Sequence, residues 1–359
     1  MCKKALVAMS GGVDSSVAAA WMAEAGYTCV GATMQLFEKD CGGTCGSAPE
    51  VEDARRVAEH LGFDYHVFNY SGDFSSLVID RFVAAYEQGR TPNPCIDCNR
   101  YMKFAALYDA AKLLGCEVIA TGHYARVVYD EVRGKWTLKK AKNLAKDQTY
   151  VLYFLTQEQL AHTCFPLGEA ESKDEVRAVA ERYGFVNAHK KDSQDICFVP
   201  DGKYAEFIRH RTGRDYPMGN FVDRDGNVLG RHKGIIGYTI GQRKGLGLAL
   251  PAPLYVYRKD MENNTVVLAP ESALYTARLW AENFNWIAGE EPENPVRCSA
   301  RTRYSAKEAP ATVTVRDDGR VEIVFDEPQR AVTEGQAVVL YSDDEVLGGG
   351  TICKTEENG

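Results

Sequence analysis

The chain has 359 residues, 45% hydrophobic and 26% charged, with a formal net charge of −8. That length predicts two or three domains with ample core, and the acidic balance excludes a protein that is basic throughout, so any polyanion site must be a local patch. No run of about 18 apolar residues occurs, which excludes a membrane-spanning helix.

The chain starts Met1-Cys2-Lys3-Lys4 with no apolar leader, and its 11 cysteines are odd in number. The expectation is a cytoplasmic protein with no membrane association, whose thiols are fillers, metal ligands or catalysts rather than a disulfide scaffold.

The apolar run Ala5 to Met9 predicts a buried strand, and Val17 to Ala23 a helix. Between them lies Ser10-Gly11-Gly12-Val13-Asp14-Ser15-Ser16. Two glycines permit positive φ and close approach of a ligand. The serines add hydroxyls, and the first N–H groups of the helix have no partner within it. Such a turn cradles phosphate, and without Gly-Lys-Ser/Thr it is not a Walker A loop. The plainer reading is a capped turn with no ligand.

Tyr27 to Met34 predicts a second strand. Ser47-Ala48-Pro49-Glu50 is the pattern of a capping box, opening a helix with Val51, Ala54, Val57, Ala58 and Leu61 inward and a stop at Gly62. A strand at Tyr65 to Phe68 and a helix at Phe74 to Tyr86, with Leu77, Val78, Phe82 and Val83 inward, follow. Gly89 to Asn99 holds Pro92 and Pro94 and reads as a loop carrying Cys95-Ile96-Asp97-Cys98. Lys103 to Leu114 is helical, and Val118 to His123 is a strand and its end. This alternation predicts a parallel sheet with helices on both faces and ligands at the carboxyl ends of the strands.

Arg126 to Tyr129 and Trp136 to Lys139 form a hairpin. Ser172 to Glu175 is a second capping box, and its helix stops at Gly184. Lys190 to Phe198 is a polar loop containing Cys197. After one more helix (Tyr204 to Arg211) the texture becomes glycine-punctuated short strands. From Ala277 onward β-branched alternation and the Asp318-Gly319 turn predict an antiparallel barrel. The expected fold is α/β: an N-terminal parallel-sheet domain (1–205), a small central domain (206–276) and a C-terminal antiparallel β-barrel (277–359).

Cys95 and Cys98 in one polar segment and Cys197 in another are candidates for nucleophiles or soft metal ligands. Cys2, Cys29, Cys116, Cys164, Cys298 and Cys353 read as filler, and Cys41 with Cys45 as a faint metal hint. Three thiolates with an open fourth position suit an iron–sulfur cluster. A Cys-x-x-Cys with a distant Cys equally suits redox thiols.

The glycine turn resembles the PP-loop of ATP pyrophosphatases. Thr91-Pro92-Asn93-Pro94, Cys98-Asn99, Ala120 to Tyr124, Lys146-Asp147-Gln148, Asp195 to Phe198, Gly241 to Gly247, Arg301 to Tyr304 and Phe325 to Pro328 follow it in order. Together they resemble the tRNA-specific 2-thiouridylases over nearly the whole chain. The resemblance implies that ATP, with Mg²⁺, lies on Ala8, Met9, Ser10, Gly11, Gly12, Val13, Asp14 and Ser15, with adenine near Met34 and Gly122. It implies that the wobble uridine of a tRNA flips into the site and is adenylated on its C2 oxygen. Cys197 then carries sulfur as a persulfide, and Cys98 is the partner nucleophile, freeing that sulfur or closing a disulfide with Cys197. Asn93, Pro94, Cys95 and His123 lie by the target base, and Lys146, Asp147, Gln148, Arg303, Tyr304 and Gln336 on the RNA. A cysteine desulfurase or sulfur-relay protein is the implied donor. Many relatives carry Asp where this chain has Cys95, which leaves a [4Fe-4S] cluster on Cys95, Cys98 and Cys197 as an alternative sulfur route.

Three basic runs, at 132–146, 226–248 and 296–307, are candidate phosphate contacts, each otherwise a solvated face. Two rival functions remain from the sequence. One is a PP-loop ligase acting on a small molecule, and the other a non-catalytic RNA-binding protein.

Overall fold

The computed structural model describes residues 3–37, 46–191, 196–199, 202–293 and 295–356. Cys2, Cys41, Cys45 and Asp195 lie outside the described residues. The N-terminal part supplies β1 (Lys4–Ala8), β2 (Thr28–Gln35), β3 (Asp64–Asn69), β4 (Val118–Ala120), β5 (Ala125–Asp130), β6 (Lys135–Lys140) and β7 (Thr163–Cys164). Five of these form a parallel sheet in the order β3-β2-β1-β4-β7. The order reverses between β1 and β4, so the crevice at their carboxyl ends is where such sheets bind ligands.

Helix α1 (Val13–Glu24) is buried nearly all round, from Val13 through Met22, because the sheet covers one side and α8 (Lys173–Arg182) the other. Its alanines allow that close packing. Helix α2 (Ala48–Leu61) ends at Gly62, whose φ is 73°. The capping box at Ser47 does not form: its side chain makes no cap bond, and the Glu50 carboxylate instead accepts from the Gly46 N–H. Ser172 does accept from the Glu175 N–H, but Glu175 reaches back to the N–H of Glu171 rather than of Ser172.

Helices α3 (Ser71–Phe74) and α4 (Asp80–Glu87) are joined by a π-helical stretch, Ser75–Ile79. The wider turn shifts the phase, so Phe74, Val78, Phe82 and Tyr86 are buried while Leu77 faces out. The expected loop around Pro94 is corrected. Pro94 opens α5 (Pro94–Asp97), with Asn93 as cap accepting from the Cys95 N–H. A proline at the first helical position loses no bond, since its N–H would be unpaired anyway. A π-helical stretch, Cys98–Ala106, carries the chain into α6 (Leu107–Leu113). Cys95 and Cys98 therefore stand on a helix.

The remaining helices are α7 (Gln157–Ala161) and α9 (Tyr204–Thr212). The central four-stranded sheet orders β10 (Tyr255–Asp260), β11 (Thr265–Ala269), β8 (Gly219–Val222) and β9 (Val228–His232). The last six strands, β12 (Tyr275–Trp286), β13 (Val296–Arg301), β14 (Ala309–Val315), β15 (Val321–Arg330), β16 (Ala337–Ser342) and β17 (Glu345–Thr355), pair in the order β12-β15-β14-β13-β16-β17. Pairing of β12 with β17 closes the barrel, which leaves it no free edge. The β5–β6 hairpin attaches to β17 at Lys139 and Glu345.

Two apolar seams lock the three parts together. Phe74, Phe82, Tyr86 and Met102 share one core with Phe198, Val199 and the central-domain residues Phe221, Ile236 and Val256. Ile96, Phe104 and Tyr150 to Leu155 share another with the barrel residues Ile287, Ala337, Val339 and Tyr341. Helix α5 and its continuation thus run where all three parts meet.

Candidate functional site

The glycine turn is held by its neighbours before any ligand is considered. The Ser10 N–H donates to Ser15 Oγ at 3.1 Å, and Ser15 and Ser16 hydroxyls donate back to the Gly12 carbonyl. Gly11 has φ +75°, and a Cβ there would fall 2.4 Å from the Glu50 carbonyl oxygen. At the end of β4, a Cβ on Gly122 would lie 2.8 Å from the Ser15 nitrogen. Glycine at both places lets β1, β4 and the start of α1 converge on one crevice.

Four residues that the sequence did not offer as site candidates build this crevice. Tyr124 Oη and Lys173 Nζ both donate to Asp14 Oδ1 at 2.7 Å. Asn187 Nδ2 donates to the Gly11 carbonyl and Ser16 Oγ. Lys190 Nζ donates to the Gly11 carbonyl at 3.2 Å and to Asp53 at 3.0 Å. Burial raises the pKa of Glu50 beside it, with Lys190 opposing. Lys173 and Lys190 pair there with Asp14, Asp53 and Glu50, so the candidacy of the crevice for anions rests on the N–H groups at the start of α1. No local pattern signals Lys173 or Lys190, because they reach the turn from 159 and 179 residues away.

Met34 lies at the end of β2, on the carboxyl side of the sheet with Gly122. His123, the residue after it, is buried against Phe104 and Phe165 at 6.0 and 5.8 Å, with Nδ1 2.7 Å from Thr121 Oγ1. Burial first and the Lys103 charge second hold its pKa well below the usual 6.5. The imidazole is therefore neutral near pH 7. His232 is lowered too, by its own burial. Below 6.5 the unfolded chain takes up protons that these rings refuse, so their contribution to stability, present above 6.5, is lost as pH falls toward the lowered values. The urea midpoint should drop between about pH 7.5 and about pH 5.5, and His123→Asn should flatten that slope. An unchanged slope in the variant would remove His123 as the cause.

Cys98 and Cys197, with Ile196 and Tyr101, both pack on the seam shared with the central domain. Phe198 anchors the Cys197 segment, edge-on to Phe82 at 5.2 Å and to Phe74 at 5.8 Å. A buried ring of this kind holds its segment by about 3–5 kcal/mol against truncation. Cys95 is exposed and acts electrostatically on Tyr304, whose pKa is raised chiefly by burial. Among the described residues no three His, Cys, Asp or Glu side chains stand close enough to hold a metal ion. Burial pushes the thiols of Cys29 and Cys164 up to about 11 and that of Cys298 to about 12, which suits inert filler.

Tyr304 is 42% exposed, with its ring 6.0 Å from Tyr150 and the Arg301 guanidinium over both. Asp147 is buried, its carboxylate accepting from the Ala141 N–H and the Thr149 hydroxyl, and burial raises its pKa. Gln148 accepts from the Tyr124 N–H. Arg303 donates to the carbonyls of Ile240 and Ala331, bracing the central domain against the barrel. Gln336 donates to the Thr91 carbonyl. Lys146, partly exposed, adds its charge beside Tyr304.

The first basic run is largely spent on the protein itself. Arg133 pairs with Glu345, Lys135 with Glu290, Lys139 with Asp344, Lys140 with Glu308 and Lys142 with Glu169. These pairs staple the β5–β6 hairpin to the barrel and its flanks. In the second run, no carboxylate among the described residues forms an ion pair with Arg231, Lys233, Arg243 or Lys244. Those four remain the better candidates for phosphate.

A parallel sheet with a glycine turn at its order reversal, followed by a small β domain and a closed barrel, defines a three-domain nucleotide-binding class. Family models agree in order: the tRNA methyl transferase HUP domain over residues 3–201, the tRNA methyl transferase PRC-barrel domain over 205–270, and the aminomethyltransferase beta-barrel domain over 276–352. A tRNA-specific 2-thiouridylase of Acetivibrio thermocellus is 51% identical over 98% of this chain and 99% of its own. One of Clostridioides difficile is 47% identical over 99% of each. The chain belongs to the tRNA-specific 2-thiouridylase family. Among solved structures, the U34-tRNA thiolase NcsA of Methanococcus maripaludis, with its [4Fe-4S] cluster, aligns at TM-score 0.35 and 18% identity over 59% of this chain and 65% of its own. That likeness is too slight to carry the cluster over.

Proposed function

We infer that this protein is an ATP-dependent tRNA-uridine 2-sulfurtransferase acting on the wobble uridine. The observation that carries the reading is the crevice at the end of β1 and β4, together with two cysteines that border one seam, Cys98 and Cys197. ATP is a substrate whose phosphates suit the N–H groups of residues 10–16, with Mg²⁺ accompanying it and Asp14 an acid in the first turn of α1. The C2 oxygen of uridine attacks the α-phosphorus and pyrophosphate leaves. The oxygen, a poor leaving group, becomes part of AMP, a good one.

The terminal sulfur of a Cys197 persulfide then adds to C2 as AMP departs. Attack of the Cys98 thiolate on the Cys197 sulfur breaks the S–S bond, leaves sulfur on the base and joins the two cysteines in a disulfide. A dithiol reductant resets the pair, and a cysteine desulfurase or sulfur-relay protein reloads Cys197. This two-thiol route needs no part from Cys95, which is exposed. Neutral His123 beside the crevice suits hydrogen bonding to an uncharged base. Tyr304 offers a face for stacking, and Arg231, Lys233, Arg243 and Lys244 charge for the phosphates.

The test is pyrophosphate release from ATP with and without unmodified tRNA. Strong stimulation by tRNA, with 2-thiouridine in the product by mass spectrometry, is expected. Stimulation by a small amine instead would establish a ligase, and no turnover with either would leave only RNA binding.

A further inference from the structure

The segment between α4 and α5 is gripped by the barrel. The Thr91 N–H donates to the Glu334 carbonyl at 3.1 Å, and Gln336 Nε2 donates to the Thr91 carbonyl at 2.6 Å. Both halves of one residue's backbone are thus claimed by a single barrel turn. Gly335, between the two partners, has φ +87°, and a Cβ on it would lie 2.9 Å from Arg90 Cβ and 3.2 Å from the Thr91 nitrogen. The turn is fixed in the barrel: Gly335 donates to the Ile352 carbonyl, and the Ile352 N–H donates to that of Gln336.

The grip has little slack downstream. Pro92 and Pro94 each fix φ, Asn93 caps α5 through the Cys95 N–H, and Ile96 is set in the core shared with the barrel. Thr91 Oγ1 is buried without a hydrogen-bond partner, so the segment is held by its backbone. A shift of Thr91 passes through a stiff tripeptide into the helix that bears Cys95 and Cys98.

We propose that the barrel turn Glu334–Gln336 is a positioning element for the Cys95–Cys98 helix, so that the barrel completes the sulfur-transfer site as well as facing RNA. The inference rests on the reading that Cys98 takes part in sulfur transfer. Gln336 is then a positioning residue that acts through Thr91, and its effect falls on turnover rather than on RNA affinity.

The experiment uses the full chain with Gln336→Leu, Gly335→Ala and, alongside, Cys98→Ser. Thiolation kcat, KM for tRNA, and the rate of Cys98 alkylation by iodoacetamide without tRNA are measured. Gln336→Leu and Gly335→Ala should lower kcat by about tenfold or more, because a displacement near one ångström is costly at a reacting group. KM for tRNA should stay within about threefold, since no RNA contact is removed on this reading, and Cys98 alkylation should change by about threefold or more. If Gly335→Ala does not fold, Gln336→Leu alone decides. A raised KM with unchanged kcat and alkylation would make Gln336 an RNA contact only and overturn the proposal. So would wild-type values throughout, provided Cys98→Ser is inactive. Full activity of Cys98→Ser would instead sink the underlying reading.

Discussion

Cys197→Ser and Cys98→Ser should each reduce tRNA thiolation by about 10³-fold or more, as loss of a covalent nucleophile does. The tRNA-stimulated release of pyrophosphate should persist. The separation follows from the architecture. The crevice proposed for the nucleotide is built from residues 10–16, Gly122, Asn187 and Lys190. The thiols instead stand on the seam with the central domain. Serine keeps the size of cysteine but supplies neither a persulfide nor a soft nucleophile, so adenylation proceeds and sulfur delivery stops.

Cys95→Ser decides between the sulfur routes. On the two-thiol route it retains thiolation, because neither step of that route uses the Cys95 thiol. If instead all three variants lose activity, and wild type binds iron on anaerobic reconstitution with iron and sulfide, a three-thiol cluster is the carrier. Normal thiolation by Cys197→Ser or Cys98→Ser would strike that cysteine from the mechanism.

What the chain shows by eye is what depends on near neighbours. The strand, glycine turn and Ala-rich helix at residues 5–23, the left-handed stop at Gly62 and the hairpin turn at Asp318-Gly319 each follow from a few adjacent residues, and each formed. The closed barrel follows from the same alternation. Pro94 shows where such reading fails. A proline ends a helix or begins one, and the choice lies with Asn93, which caps it.

Of the inward face expected for Phe74 to Tyr86, Val78, Phe82 and Val83 are buried and only Leu77 faces out, because a π-helical stretch breaks the 3.6-residue period without a local mark. Charge was harder still. Arg133, Lys139 and Lys140 look like a phosphate patch until their acids arrive from residues 344, 345 and 308. The anion site is the same case in reverse. Its glycines were legible, but the lysines that meet Asp14, Asp53 and Glu50 there come from beyond residue 170, and only the folded sheet brings them there.

The adjacent glycines of the turn look interchangeable in the sequence and are not so in space. Gly11 sits at φ +75°, with its missing Cβ aimed 2.4 Å from the Glu50 carbonyl. Gly12 has φ −92° and ψ 160°, an extended conformation open to any residue, and a Cβ there would meet only Ser10 Oγ at 3.4 Å. Gly11→Ala therefore combines left-handed strain with a backbone clash against the first turn of α2, and should cost about 2–4 kcal/mol of stability. Gly12→Ala should leave stability within about 1 kcal/mol of wild type. Its methyl intrudes on the ligand instead, so KM for ATP should rise by about tenfold or more. Melting curves and ATP saturation on the two variants separate the roles. Equal melting temperatures for both would refute the assignment of strain to Gly11. An unchanged KM in Gly12→Ala would show that the phosphates do not approach this part of the turn.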